Sequence, residues 1–296
     1  MTQLSTPIFE NHIARIGRFC CPAEHPHFTD TGPILSGHLM VFPRTSVRIL
    51  LPGQEPIVAT PHTVMFYNHQ QRYRRERLSP DGDRCEWFAF APDLLTSALA
   101  ARAPAAQVEI AHPFAWAYAH SNARCYLQQR LIVSHLLHAQ AQGNPPDHLW
   151  LAEALHGLLA EVLDQTTTTG HCKRNGSRQT QQQQRVMVRA VQEQIGANFT
   201  RTLTLEELAA TVHLSPFELC RVFRAHTTTT IHQYLTQLRM RAALELIAEP
   251  QSDLTTVALT LGYSSHSHFT SAFRRTFGLS PSALRKGSGR PNCARI

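Results

Sequence analysis

The residues best suited to chemistry in this chain lie on two amphipathic stretches. In the later one, His266, Ser267, Thr270, Ser271 and Arg274 share one face of a helix, opposite Phe269, Ala272 and Phe273. These are small or polar groups with no acid among them, a surface suited to phosphates and to base edges in a major groove. In the earlier stretch Phe217, Glu218, Cys220, Arg221 and Arg224 face outward, and Leu219, Val222 and Phe223 face inward. Arg221 is the best candidate reader, because one guanidinium can bind guanine O6 and N7 together. Phe217 suits a thymine methyl group. Glu218 suits only a cytosine amino group and is repelled by phosphate. Arg239, Arg241, Arg274 and Arg275 are candidate phosphate contacts, weighed against ordinary solvated helix charge. His268 reads equally as part of this face or as a half-buried packing residue.

The first half offers weaker candidates. Cys20, Cys21, His25, His27 and Cys85 are soft ligands that suit zinc or copper, or a thiol switch. No Cys-x2-Cys accompanies them, and a buried cysteine is the ordinary alternative. Arg72, Tyr73, Arg74, Arg75 and Arg77 form a charge run at strand spacing, read as a solvated edge or as an anion-binding rim. Tyr67, Asn68 and Trp87 are candidates to line an effector pocket.

Helices must position the two reading faces. Val257, Ala258 and Leu261 form the apolar side of a short helix, Gly262 supplies a turn, and Ser264 or Ser265 caps the next helix. Gly278 and Ser280-Pro281 end that helix and begin another turn. The unit is a helix-turn-helix, or more plainly an αα-hairpin that only packs. It is repeated: Leu208-Ala209, Leu214-Ser215, Leu219 and Phe223 recur at Ala258, Tyr263-Ser264, Phe269 and Phe273. Thr204 begins the first copy, with Glu207 in capping-box position, and Ser215-Pro216 opens its second helix. A helix from Thr230 to Ala248 joins the copies and spans roughly 28 Å at 1.5 Å per residue. Two reading helices so joined can sit about 34 Å apart, one DNA turn, on successive major grooves. His213, Thr228, Thr230 and Ile231 stand where the second copy has Gly262, Gly278, Ser280 and Pro281. β-Branched residues resist positive φ, so a looser turn is expected in the first copy.

Gly262-Tyr263-Ser264-Ser265, Phe269, Phe273-Arg274-Arg275 and Gly278-Leu279-Ser280-Pro281 together resemble the C-terminal signature of AraC/XylS-type transcription regulators. The resemblance implies that Phe217, Cys220 and Arg221, with His266, Ser267, Thr270 and Ser271, face bases or backbone. It also implies a cupin-like effector-binding domain ahead of the helices, and a homodimer surface on paired helices behind that domain, which from sequence read equally as a cover for one face of the sheet.

The residues themselves give an α+β, multidomain chain. Short β-prone runs at 39–42, 46–51, 63–67 and 85–90, separated by turn signals, suggest a small sandwich or barrel. From Pro92 to Asp164 the pattern turns helical, with Gly143-Asn144-Pro145-Pro146 as a break. The expected division is residues 1–164 for effector sensing and dimerisation and 165–184 as a Gln/Thr-rich flexible linker. Residues 185–288 follow as a DNA-binding domain of two tandem helix-turn-helix units, and 289–296 as a disordered tail. From Gln184 onward there are thirteen Lys and Arg against seven Asp and Glu, so the basic excess falls where phosphates would be met. Seven cysteines in a chain of this length are no disulfide framework, and neither a leader nor an apolar run of membrane-spanning length is visible. The expected protein is cytoplasmic, off the membrane, non-enzymatic and without a cofactor. Its expected partners are double-stranded DNA, a small-molecule effector and, for an activator, RNA polymerase. The competing classes are a cupin-type enzyme and a methyl-accepting DNA repair protein. Each needs a metal set, and His25-Pro26-His27, in a Pro-rich turn, is a poor start for one.

Overall fold

The computed structural model describes residues 4–30, 32–102, 111–168, 178–247 and 252–287. The chain divides into two compact units at residues 169 and 170. In the first, strands β1 (Ser5–Glu10), β2 (Ala14–Cys21), β8 (Asp83–Phe90), β3 (Leu39–Pro43), β6 (Thr63–Tyr67) and β9 (Tyr118–His120) form a six-stranded sheet in that order. Strands β5 (Ile57–Ala59), β4 (Val47–Leu50) and β7 (Arg74–Arg77) form a second, three-stranded sheet. Every pairing is antiparallel.

The continuous apolar runs of β3, β6 and β8 are explained by burial on both faces. Successive side chains of a strand point opposite ways. Met40, Phe42, Val64, Phe66, Phe88 and Phe90 therefore join one core. Leu39, Val41, Met65, Tyr67, Cys85 and Trp87 join another, shared with Val47 and Ile49 of the smaller sheet. Helices α1 (Pro92–Ala100), α2 (Ala123–Gln142) and α3 (His148–Thr168) supply the other half of the first core, through Leu95, Ile132, Leu136, Leu155 and Leu158. The paired helices thus cover one face of the sheet. Asn122 caps α2 by accepting from the Cys125 N–H at 2.7 Å, and Gly143 ends it at φ +67°.

The β-rich first unit agrees with the expected architecture, and four differences have physical causes. β1, β2 and β5 were not expected; in β2, Gly17 and the arginines interrupt the apolar alternation. Gly17 is required where it stands: a Cβ there would lie 2.2 Å from the Trp87 ring and 2.7 Å from the Thr6 carbonyl oxygen. β9 falls inside the segment read as helical, where three residues pair with β6 and little period is visible. The Gln/Thr-rich segment read as a linker is partly helical. α3 continues to Thr168, and α4 (Arg178–Asn198) takes in the glutamine run. Glutamine is a good helix former, and Val188, Val191 and Ile195 anchor the same helix in a core. Residues 169–177 and the expected tail at 289–296 lie outside the described residues. Finally, β7 is an edge strand, but Arg75 is buried. Its guanidinium donates from Nη1 to Asp83 at 2.6 Å and from Nε to the Phe28 carbonyl at 2.9 Å.

One carboxylate ties the sheet to α2. Glu86 on β8 is fully buried and meets Arg18 of β2 at 3.6 Å, Arg44 after β3 at 3.2 Å and Arg130 of α2 at 2.8 Å. Gln129 donates to its other oxygen at 3.3 Å. Removing the acid leaves partly buried guanidinium groups facing one another. Glu86→Ala is therefore expected to destabilise the first unit by about 3–5 kcal/mol, read as a lower thermal midpoint for that unit by calorimetry.

Candidate nucleic-acid interface

The second unit consists of α4 followed by α5 (Leu205–Ala210), α6 (Pro216–Thr227), α7 (Ile231–Ile247), α8 (Leu254–Thr260), α9 (His266–Phe277) and α10 (Pro281–Gly287). Corresponding elements recur in α5–α6 and α8–α9. Thr204 caps α5 and Asp253 caps α8. Ser215 and Ser265 cap α6 and α9, which are both twelve residues long. The residue before the tight turn is left-handed in each copy, His213 at φ +53° and Gly262 at φ +75°. After the reading helix Thr228 adopts φ +61° and Gly278 φ +76°.

The first copy therefore makes the same left-handed turns as the second, although it lacks the glycines. Left-handed backbone costs a non-glycine residue roughly 1–2 kcal/mol, and local hydrogen bonds offset that cost. The Thr227 hydroxyl donates to the Phe223 carbonyl at 2.8 Å and the Thr228 hydroxyl to the Thr227 carbonyl at 2.6 Å. Thr230 and Gln233 bond reciprocally, N–H to side chain, at 2.9 and 3.1 Å. Thr230 thus does for α7 what Ser280 does for α10, where the Ala283 N–H donates to the serine hydroxyl at 3.2 Å.

On α6, Phe217, Cys220, Arg221 and Arg224 are exposed, Phe217 to 78%. A phenyl ring left that open is unusual on a helix whose other large apolar residues are buried. Glu218 is engaged elsewhere. It forms a capping box with Ser215, accepting from its N–H at 3.2 Å and its hydroxyl at 2.7 Å. Those bonds hold its carboxyl below the usual carboxylate range. Its charge sits at the helix N-terminus, where the backbone dipole favours it. Glu207 does not close the equivalent box on α5, because its carboxylate meets Arg201 instead. On α9, His266, Ser267, Ser271 and Arg274 are exposed and Thr270 is half-buried, with its hydroxyl 3.4 Å from His266 Nε2. His268 is exposed, and its ring lies edge-on to Tyr263 at 5.3 Å. Arg275 is also exposed.

Two expected phosphate contacts are corrected. Arg241 is buried, at 1% exposure. Arg239 spends its donors inside the unit: Nε on the Phe199 carbonyl at 2.7 Å, Nη2 on Arg201 at 2.8 Å and Nη1 on Gly262 at 3.2 Å. Its guanidinium also lies 5.7 Å from the centre of the Tyr263 ring. Residue type alone made both candidates, and only the partners packed around that helix reveal the difference. Arg239 joins the turn before α5 to the turn before α9. The two turns touch directly, since a Cβ on Gly262 would stand 2.6 Å from the Thr200 carbonyl oxygen and 2.7 Å from Arg239 Nη2. The two copies are thus held together by more than their shared helix.

Residues 208–287 match the family model described as a helix-turn-helix domain. A probable transcriptional regulator, LumQ, of Photobacterium leiognathi is 36% identical over 87 residues, 29% of this chain and 35% of the relative. The transcriptional activator RhaS of Escherichia fergusonii is 33% identical over 90 residues, 30% of this chain and 32% of the relative. The Msm operon regulatory protein of Streptococcus mutans is 26% identical over 140 residues, 47% of this chain and 48% of the relative. Among solved structures, a DNA-binding transcriptional dual regulator from Escherichia coli K-12 is 32% identical. It covers 34% of this chain and 95% of its own, with a TM-score of 0.31. The chain spans about a third to a half of the length of these curated relatives. The C-terminal unit is a helix-turn-helix domain of the AraC/XylS type. Among the described residues, no helix is long and apolar enough to cross a membrane.

The close approach at Gly262 separates two glycines of like backbone. Nothing lies within 4 Å of a Cβ at Gly278. Gly278→Ala is expected to cost about 1 kcal/mol from backbone conformation alone. Gly262→Ala should cost clearly more in the same denaturation measurement, and equal losses would show that the turn–turn contact yields freely.

Proposed function

We propose that this protein is a sequence-specific DNA-binding transcription regulator in which one chain reads two successive major grooves. The observation that carries the reading is the pair of twelve-residue helices α6 and α9, each opened by a serine cap, ended by a left-handed residue and set on one shared helix. Each shows an exposed face of small, polar or basic side chains. Arg221 and Arg224 lead on α6, and His266, Ser267, Thr270, Ser271 and Arg274 on α9, with Phe217 and Cys220 at the apolar edge. Glu218 is withdrawn into its capping box, which lessens the one acidic conflict on that face. Residues 1–164 serve as the effector-sensing and dimerisation part and 185–288 as the DNA-binding part. The working form is a homodimer, and RNA polymerase is a partner at promoters where the protein activates. Relatives named as regulators support a binding role rather than catalysis. One relative, AdaA of Bacillus subtilis, is named a bifunctional activator and DNA repair enzyme, and its match covers 33% of this chain.

Selection of bound duplexes from a random pool by the full-length protein should enrich a motif with two half-sites one helical turn apart. Recovery of no preferred sequence would overturn the reading. On the selected duplex, Arg221→Ala should lose about 1–3 kcal/mol of discrimination and little non-specific binding. Equal losses on both duplexes would make Arg221 a phosphate contact, with a shallower salt dependence as its sign.

A further inference from the structure

Between the two sheets of the first unit lies a cavity of about 270 Å³. The inward residues of the strands make its walls aliphatic, through Val41, Val47, Ile49 and Met65. The coil at 32–36 closes one side, held by the Gln70 N–H donating to the Ile34 carbonyl at 2.7 Å.

Aromatic faces dominate the rest. Trp87 is locked in place: its Nε1 donates to Ser5 at 3.0 Å, and Gly17 leaves room for the ring. Tyr67 and Tyr73 lie 4.6 Å apart at 35°, side by side on the wall. Fixed rings present flat apolar surface at little entropic cost, and they favour a ring that stacks or meets them edge-on.

The electrostatics of the wall are neutral. Among the described residues that line the cavity, Asp83 is the one with a charge of its own, and Arg75 neutralises it at 2.6 Å. That guanidinium is not itself in the lining but stands behind two rings that are, Phe19 at 4.8 Å and Tyr73 at 5.8 Å, and near Phe28 at 5.2 Å. Burial, with Tyr73 and Asp83 nearby, raises the Tyr67 hydroxyl well above its usual range, so it stays O–H at neutral pH. Burial does the same to the Cys85 thiol, which stays S–H. Among the described lining residues a carboxylate or phosphate would find no cation to replace its water, since Arg75 stands behind the aromatic wall and is paired with Asp83, and a polyhydroxylated sugar would lose hydrogen bonds that aliphatic walls do not return.

We propose that this cavity binds an uncharged aromatic compound of one or two rings carrying a single hydroxyl or carbonyl oxygen. The ring lies against Trp87 and Tyr67, and neutral hydroxyl groups on the wall meet the oxygen. The inference deepens the reading of the first unit as an effector domain and rests on it.

The test is isothermal titration and thermal shift of the full-length protein at pH 7, without DNA, so the result is independent of duplex binding. The probes are 2-naphthol, its anionic counterpart 2-naphthoate, glucose, and a straight-chain alcohol of equal carbon number. The expected result is saturable binding of 2-naphthol with a raised thermal midpoint, at least tenfold weaker binding of naphthoate and of the alcohol, and no response to glucose. Val47→Phe, which fills the cavity, should abolish the naphthol response. Absence of saturable naphthol binding, or binding of naphthoate or the alcohol within a factor of two of it, would overturn the proposal even if Val47→Phe fails to fold.

Discussion

The helical unit depends on one helix being buried from both ends. Ile231, Tyr234 and Leu238 of α7 complete the core built by α4, α5 and α6. Met240, Ala243, Leu244 and Ile247 are buried in turn, where α7 packs on α8 and α9. A helix used this way cannot keep a wide polar stripe. Arg241 is buried and Arg239 is drawn into backbone contacts. The exposed polar faces are left to α6 and α9, whose inner sides hold Phe223, Phe269 and Phe273 with almost no exposure. Packing decides which arginines are free to meet a ligand and which are part of the frame.

How much of this was legible in the sequence differs between the copies. The second was plain because glycine and Ser-Pro announce backbone requirements, and those requirements are met at Gly262, Gly278 and Ser280. The first makes the same turns with His213 and Thr228, whose side chains give no such signal. Only the repeat, aligned position by position, points to them. The strands of the double-faced sheet were visible as apolar runs, whereas β2 was hidden by Gly17 and its arginines. The pairing of Arg75 with Asp83 was invisible for another reason. Charge runs read as surface, and nothing local tells that one member of RRER turns inward toward a carboxylate on the next strand. Of the candidate readers, exposure follows directly from helix period. The engagement of Glu218 was half visible, as Ser-x-x-Glu spacing that was weighed as chemistry rather than as a cap.

The first unit solves a different problem. Its larger sheet is the middle of three layers, so each strand serves helices on one side and the smaller sheet on the other. The helix side is closed by Glu86 and its arginines as well as by apolar packing. The sheet–sheet side keeps open space between aromatic walls. Alternation along β3, β6 and β8 thus separates a filled core from a receptive one within the same few strands.

The donors of Arg239 end on main-chain carbonyls alone, at Phe199, Arg201 and Gly262. Recognition of backbone is indifferent to what side chains those residues bear, apart from the glycine. The spacing of α6 and α9 is thereby insulated from changes at neighbouring positions. A substitution on the outer face of α6 or α9 therefore leaves these contacts, and the separation they hold, untouched.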